Sequence, residues 1–314
     1  MSQNHFFEGP EKKLELIFKD EVGNLLNKPR SFWDELVDLA AAKILSSIET
    51  DDCRAFLLSE SSLFVWKDRI ILITCGTTTL INAAEHLVSL FGKESLKEAF
   101  YERKNEYQPG LQKTSALDDM SCLKEILGGN VQRFGRKDDH HVYIFNNHFG
   151  KNKEEAKVNT LEVLMYGLQG EFKDCCKVDP AAQEKALTSL KKILPEFTFD
   201  TYFFEPEGFS FNALNNDQYA TMHVTPQGSE SYLSFELDQV DLKKAEDIVR
   251  DLVDLCKPVS YDIILFSAEE ENVGMHSGQY DVKQISKSET ESGYNILYSH
   301  FYDKQNIYIE PFTV

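Results

Sequence analysis

The chain has 314 residues, 42% of them hydrophobic, with 33 basic against 52 acidic side chains and a net charge of −19. That is apolar material enough for a large core, built as one big domain or two. The acidic balance, with no basic run, argues against nucleic acid and anionic membranes as partners and welcomes cationic ligands.

No apolar stretch approaches the roughly 18 residues needed to cross a bilayer. Met1–His5 offers neither a basic nor an apolar leader region, so a cytoplasmic protein is expected. Lys12–Phe18 reads as an opening strand. Ser31-Phe-Trp-Asp34 reads as a capping-box start, and apolar residues recur at helical spacing through Ile44.

Two apolar runs follow, Phe56–Val65 and Arg69–Thr77, joined by Lys67-Asp68 as a two-residue hairpin connection. The first contains Ser59, Glu60, Ser61 and Ser62, polar groups that need partners if buried. On pattern alone this is an edge strand with a wet face.

Thr78–Phe91 is a helix with Leu80, Ala84, Leu87 and Val88 on one face. Strands are expected at Val131–Phe134 and Val142–Phe145, then a helix over Asp179–Leu194 with proline at its first position. Further strands are expected at Phe197–Phe204, Gly208–Leu214, Tyr219–Thr225 and Tyr232–Glu236. Asp241–Cys256 is an amphipathic helix, and strands at Tyr261–Ser267, Gln279–Ser286, Tyr294–Tyr302 and Asn306–Ile309 close the chain.

Helices in pairs among antiparallel runs indicate the α+β class, and no glycine-rich phosphate loop suggests a nucleotide cofactor. Lys104–Asp119 and Lys151–Lys157 read as connections within one domain, residues 1–314. Cys53, Cys75, Cys122, Cys175, Cys176 and Cys256 show neither zinc nor redox spacing and are free thiols by default. His140 and His141 lie beside Asp138 and Asp139 in a polar turn, and no further ligand completes a metal set there, so no metal is expected.

Four segments occur in one order: His5-Phe-Phe-Glu-Gly-Pro-Glu-Lys-Lys-Leu-Glu15; Leu58-Ser-Glu-Ser-Ser-Leu-Phe-Val65 with Thr74-Cys-Gly-Thr-Thr78; Phe204-Glu-Pro-Glu-Gly-Phe-Ser210; and Met222-His-Val-Thr-Pro226. Together they resemble eukaryotic-type S-adenosylmethionine decarboxylase, a pyruvoyl-dependent family. The resemblance implies a four-layer αββα sandwich, two antiparallel sheets flanked by helices, whose halves look like an ancient duplication. No convincing sequence repeat accompanies it.

Decarboxylating an amino acid needs an electron sink that no standard side chain supplies. The resemblance implies that the chain makes one, by cleaving itself between Glu60 and Ser61 into a β chain, 1–60, and an α chain, 61–314. Ser61 becomes the pyruvoyl group, which forms a Schiff base with the substrate amine; neither pyridoxal phosphate nor metal is required. In the same reading Ser210, His223 and Glu11 assist processing, and Cys75 returns a proton to the α-carbon after loss of CO2. Phe7 and Phe204 stack on adenine, the backbone at Leu58 also contacts it, and Glu8 and Glu60 lie near the site, suited to a positively charged sulfonium and polar groups.

Two departures from the family pattern carry expectations. Gln227 stands where a glutamate grips the ribose hydroxyls, so weaker ribose binding is expected. Glu15, Glu162 and Glu236 match a putrescine-binding acidic cluster, but Val158 replaces its expected aspartate, so little or no putrescine stimulation is expected.

The implied partner is S-adenosylmethionine, the product serves spermidine and spermine synthesis, and the assembly is a monomer or a homodimer of processed pairs. Two alternatives stay open: a catalytically weak regulatory paralogue, and a pyruvoyl decarboxylase of another amino acid. Each site residue also has an ordinary reading. Cys75 suits a small buried hydrophobe, His223 a structural strand histidine, and Phe7 and Phe204 are two of 22 phenylalanines.

Overall fold

Period-two alternation underlies the architecture, because many of the strands carry apolar residues on one face and mixed residues on the other. The computed structural model describes residues 7–150, 159–176, 179–227, 230–268 and 279–305. Its first half runs β1 (Lys12–Phe18), α1 (Arg30–Leu39), β2 (Ile44–Glu49), β3 (Arg54–Leu58), β4 (Ser61–Val65), β5 (Arg69–Thr74), α2 (Leu80–Phe91), β6 (Leu96–Lys104), α3 (Ala116–Leu127), β7 (Asn130–Gly135) and β8 (His141–His148). The second runs β9 (Thr160–Tyr166), α4 (Glu171–Cys175), α5 (Pro180–Ile193), β10 (Thr198–Phe203), β11 (Phe209–Asn215), β12 (Gln218–Thr225), β13 (Tyr232–Leu237), α6 (Leu242–Cys256), β14 (Ser260–Ser267), β15 (Tyr280–Glu289) and β16 (Asn295–Asp303).

Each half forms an eight-stranded antiparallel sheet. The orders are β2-β3-β4-β5-β1-β6-β8-β7 and β10-β11-β12-β13-β9-β14-β16-β15, so adding eight to every strand of the first sheet generates the second. The duplication is therefore plain in the topology, whereas side-chain identity hides it.

Leu14, Leu16 and Phe18 of β1 and Leu63 and Val65 of β4 pack under α1, α2 and α3. Leu161 and Val163 of β9 pack with residues of α4, α5 and α6. The opposite faces of the two sheets meet each other. Phe64, Ile71 and Ile73 join Leu214 and Tyr219 in one cluster, and Phe134 and Ile144 join Tyr166, Tyr232 and Tyr298 in another. Helices, sheet, sheet and helices make the four layers of an αββα sandwich. Among the described residues no helix is long and apolar enough to cross a membrane.

Several elements differ from expectation. The first helix starts at Arg30 without a side-chain cap and stops at Leu39; Ala41 takes a left-handed φ of 63°, and Ile44 opens β2. The β2 strand is the wet edge, alternating half-buried and exposed residues. By contrast β4, expected at an edge, lies between β3 and β5 with every residue buried. Five elements went unread: β2, β6, the fully buried β9, the short α4, and α3, which Ser115 and Asp118 open with a capping box inside the supposed connection Lys104–Asp119. Lys151–Lys157, Val158 and Asn306–Ile309 lie outside the described residues.

Candidate active site

The turn between β3 and β4 consists of Ser59 and Glu60, with Leu58 opposite Ser61 in the ladder. So tight a turn has a backbone cost. Ser61 takes φ 141°, a region that side-chain-bearing residues rarely occupy, and such strain clusters at reactive positions. Ser61 is also buried, and its hydroxyl has no hydrogen-bond partner among the described residues.

The carbonyl of Glu60, immediately before it, is engaged twice. It accepts from the Cys75 amide at 2.8 Å and from the Cys75 thiol at 3.1 Å. Gly76 follows with φ 68°, where a side chain is strained, and a Cβ there would sit 2.9 Å from Glu60 Oε2 and 3.3 Å from the Phe7 ring. Its amide donates to the Glu8 carbonyl at 2.7 Å. Lys12 Nζ donates to the Gly76 carbonyl at 3.1 Å and to Gln112 Oε1 at 3.0 Å. Glu8 accepts from the Tyr107 and Gln108 amides at 2.8 Å each, and the Phe7 amide donates to Gln227 Oε1 at 3.0 Å.

The facing sheet supplies a row of polar side chains. Ser210, His223 and Ser234 are direct partners across β11, β12 and β13, so all three project to the same face. His223 Nδ1 lies 2.8 Å from Ser210 Oγ. Ser234 Oγ donates to Glu11 Oε1 at 2.5 Å, which carries the row across to the first sheet.

Burial sets the protonation states. It pushes Glu11 up to about 8, opposed by the Ser234 bond, and Glu60 up to about 7, opposed by Lys12. It lowers Lys12 to about 8 and His223 to about 3, leaving the imidazole neutral. Burial, reinforced by Glu60 and Glu11, raises the Cys75 thiol, which stays protonated at neutral pH. A free hydroxyl beside a held carbonyl, a neutral imidazole and a protonated thiol can perform acyl shift, proton removal and proton return.

The remaining predicted residues fall into two groups. Leu58 is buried at the end of β3, and Phe204 lies 4.8 Å from Tyr202, edge to face, on the second sheet, whereas Phe7 lies against Gly76 of the first. Glu162 and Glu236 hold Lys13 Nζ at 2.7 and 2.5 Å, and Glu15 holds Arg69 at 2.6 Å. Burial opposes the Lys13 charge, but the two glutamates outweigh it and hold its pKa well above the usual lysine value.

Residues 11, 13 and 15 therefore alternate into the space between the sheets. Lys13 had no assigned part, yet its parity with Glu11 and Glu15 placed it there. Ser62, Asn212 and Thr221, which surround His223, share that inward parity and were also passed over.

A second buried network had no sequence signal. Asp262 accepts from His300 Nδ1 at 2.6 Å and Tyr166 at 2.8 Å, beside Lys104 at 3.0 Å. His140 stacks on His300 with centroids 4.5 Å apart and planes 19° apart. Donor atoms of Asp139, His140 and His300 lie within 4.8 Å of one another, but near-parallel rings point their in-plane lone pairs along separate lines, and Asp139 is paired with Lys283.

Comparison with known proteins identifies the family. The family model for adenosylmethionine decarboxylase matches residues 4–309. The chain is similar to the S-adenosylmethionine decarboxylase proenzyme of Xenopus laevis, at 33% identity over 84% of this chain and 84% of that protein. It is similar to the proenzyme of the same name from Leishmania donovani, at 32% identity over 87% of this chain and 76% of that one. Among solved structures, the Trypanosoma brucei AdoMetDC-delta26 monomer shares the fold with a TM-score of 0.58 at 24% identity, covering 77% of this chain and 99% of that chain.

Proposed function

Because this chain belongs to the adenosylmethionine decarboxylase family, we propose that it processes itself at the Glu60–Ser61 bond and builds its reactive group from Ser61. The protein is an S-adenosylmethionine decarboxylase made as a proenzyme, and its product feeds polyamine synthesis. One observation carries the processing site: the buried, unpartnered Ser61 hydroxyl at a strained backbone position, next to a carbonyl held by Cys75.

Ser61 Oγ attacks the Glu60 carbonyl, and the amide and thiol of Cys75 steady the charge that develops on its oxygen. The amide becomes an ester. His223, neutral at working pH, then takes the α-proton of residue 61, and the Glu60 carboxylate leaves to give dehydroalanine. Hydrolysis of that group with loss of ammonia yields the pyruvoyl end of residues 61–314. Glu11 and Ser210 assist these steps, Ser210 through its bond to His223 Nδ1 and Glu11 through its bond to Ser234.

Members of the family are in general pyruvoyl-dependent, and the group supplies the electron sink for decarboxylation. Cys75, protonated by burial, is the acid that returns a proton to the substrate carbon. Phe7 and Phe204 take adenine, with Glu8, Glu60 and the Leu58 backbone beside them, and Gln227 meets the ribose. Glu15, Glu162 and Glu236 form the remnant of a dication site, with Lys13 supplying the cation from within the chain.

A regulatory paralogue or another amino acid substrate is not favoured, since the relatives are named decarboxylase proenzymes and Ser61 is present. The test is Ser61→Ala: it should fold, remain one chain and show no decarboxylation. Cleavage of Ser61→Ala at residue 60 would refute the assignment.

A further inference from the structure

We propose that Asn212 is a positioning residue which, through Ser62 and Thr221, holds the His223 proton on Nε2 and leaves Nδ1 as the basic nitrogen. The inference rests on the reading of His223 as the base of processing. Ser62, the neighbour of the reacting serine, reaches across to the other sheet and donates to Asn212 Oδ1 at 2.5 Å. So short a contact suits O–H···O and is below the usual range for an amide nitrogen, which favours oxygen at this position; Asn212 Nδ2 then has no hydrogen-bond partner among the described residues.

The rest is proton accounting. The one Ser62 hydrogen is spent on Asn212. Thr221 Oγ1 lies 3.0 Å from Asn212 Oδ1 and 3.0 Å from the Phe211 carbonyl, both of which only accept, so its hydrogen is spent there too. His223 Nε2 therefore faces two oxygens, Thr221 Oγ1 at 3.0 Å and Ser62 Oγ at 3.2 Å, that present lone pairs. A proton on Nε2 satisfies both; a bare Nε2 would oppose its own lone pair to that of Ser62. Nδ1 is then the acceptor, receiving the Ser210 hydroxyl at 2.8 Å. All of these side chains are buried, so no bulk water offers a substitute partner.

In the elimination step the α-proton of residue 61 goes to Nδ1, the Cα–Cβ double bond forms, and the Cβ–O ester bond breaks with Glu60 leaving as carboxylate. With Asn212 removed, the Ser62 and Thr221 hydrogens can turn to Nε2 and drive the proton to Nδ1, which blocks this step while leaving the earlier acyl shift intact.

Asn212→Leu is the variant to make, with hydroxylamine as the probe because it cleaves an ester at residues 60–61 and spares an amide. The expected result is a folded chain that is cut by hydroxylamine and converts to the pyruvoyl form at least tenfold more slowly than wild type. Wild-type processing, or a folded precursor that resists hydroxylamine, would overturn the proposal. Should Asn212→Leu not fold, nitrogen-15 NMR of histidine-labelled Ser61→Ala protein, with Asn212 in place, decides: a proton on Nε2 supports the proposal and one on Nδ1 overturns it. His223→Ala separates the parent reading, since a variant that does not stall at the ester removes His223 as base whatever the tautomer.

Discussion

The Cys75 thiol lies 3.1 Å from the carbonyl oxygen of Glu60, on the bond that precedes Ser61. In the proposed mechanism one cysteine serves two stages: its side chain and amide hold the Glu60 carbonyl during processing, and the same thiol acts as the acid afterwards. Cys75→Ala keeps the amide donor and loses the thiol. Losing a side-chain donor to a developing oxyanion costs about 10²–10³ in rate at strong sites, and a thiol is a weak donor, so processing should slow by about tenfold or more. A time course of chain separation on denaturing gels checks this; an unchanged rate would remove the thiol from processing.

Lys13 lies in the buried acidic cluster with Glu162 and Glu236, so the chain carries its own cation where the resemblance expects an external dication. Putrescine should leave the wild-type decarboxylation rate essentially unchanged. Lys13→Ala leaves two buried acids uncompensated, a change that costs about 3–5 kcal/mol when one partner of a buried ion pair is removed. Thermal melts should show that loss, with putrescine restoring part of it in the variant alone. Several-fold stimulation of the wild type would contradict the account.

Gln227 Oε1 already accepts from the Phe7 amide, so in the proposed binding mode its single carbonyl would be shared between ordering the Phe7 segment and meeting the ribose. Gln227→Glu restores a second acceptor oxygen without giving up the first. The Michaelis constant for S-adenosylmethionine should fall several-fold with little change in kcat. An unchanged Michaelis constant would show that residue 227 does not limit ribose binding.

Burial raises the Glu11 carboxyl to about 8 from an ordinary value of 4.5. Between those values the folded chain keeps a proton that the unfolded chain releases, so stability falls as pH rises through that window. His223 acts on the other side: lowered to about 3 from 6.5, it binds a proton more readily when unfolded, and stability falls as pH drops below 6.5. Glu11→Gln should therefore melt higher than wild type at pH 8.5 and close to it at pH 5.5. Equal differences at both values would mean that Glu11 does not titrate in this window.

What could be read in the sequence was what is local. Ser61, Cys75, His223 and Glu11 sit in short contiguous motifs, and β1 and α6 carry clean periodicity, so their bounds agree with the structure to within a residue. The strand β9 was missed because a run buried on both faces has no alternation to detect, and α3 because its capping box lies in a stretch otherwise rich in polar residues. Contacts across the sheets were less legible still. Asp262 with His300, or Ser62 with Asn212, meet only because two registers and the stacking of two sheets coincide, and no spacing along the chain encodes that. Inward parity was the one usable signal, and it pointed to Lys13, Thr221 and Asn212, which were passed over.

The central claim is that Ser61 reacts with the bond before it, and intact mass spectrometry of the purified, denatured protein tests this most directly. The account predicts two species, residues 1–60 and residues 61–314, the larger lighter by one ammonia than a fragment beginning with serine. A single species near 36.0 kDa that persists on incubation would contradict it.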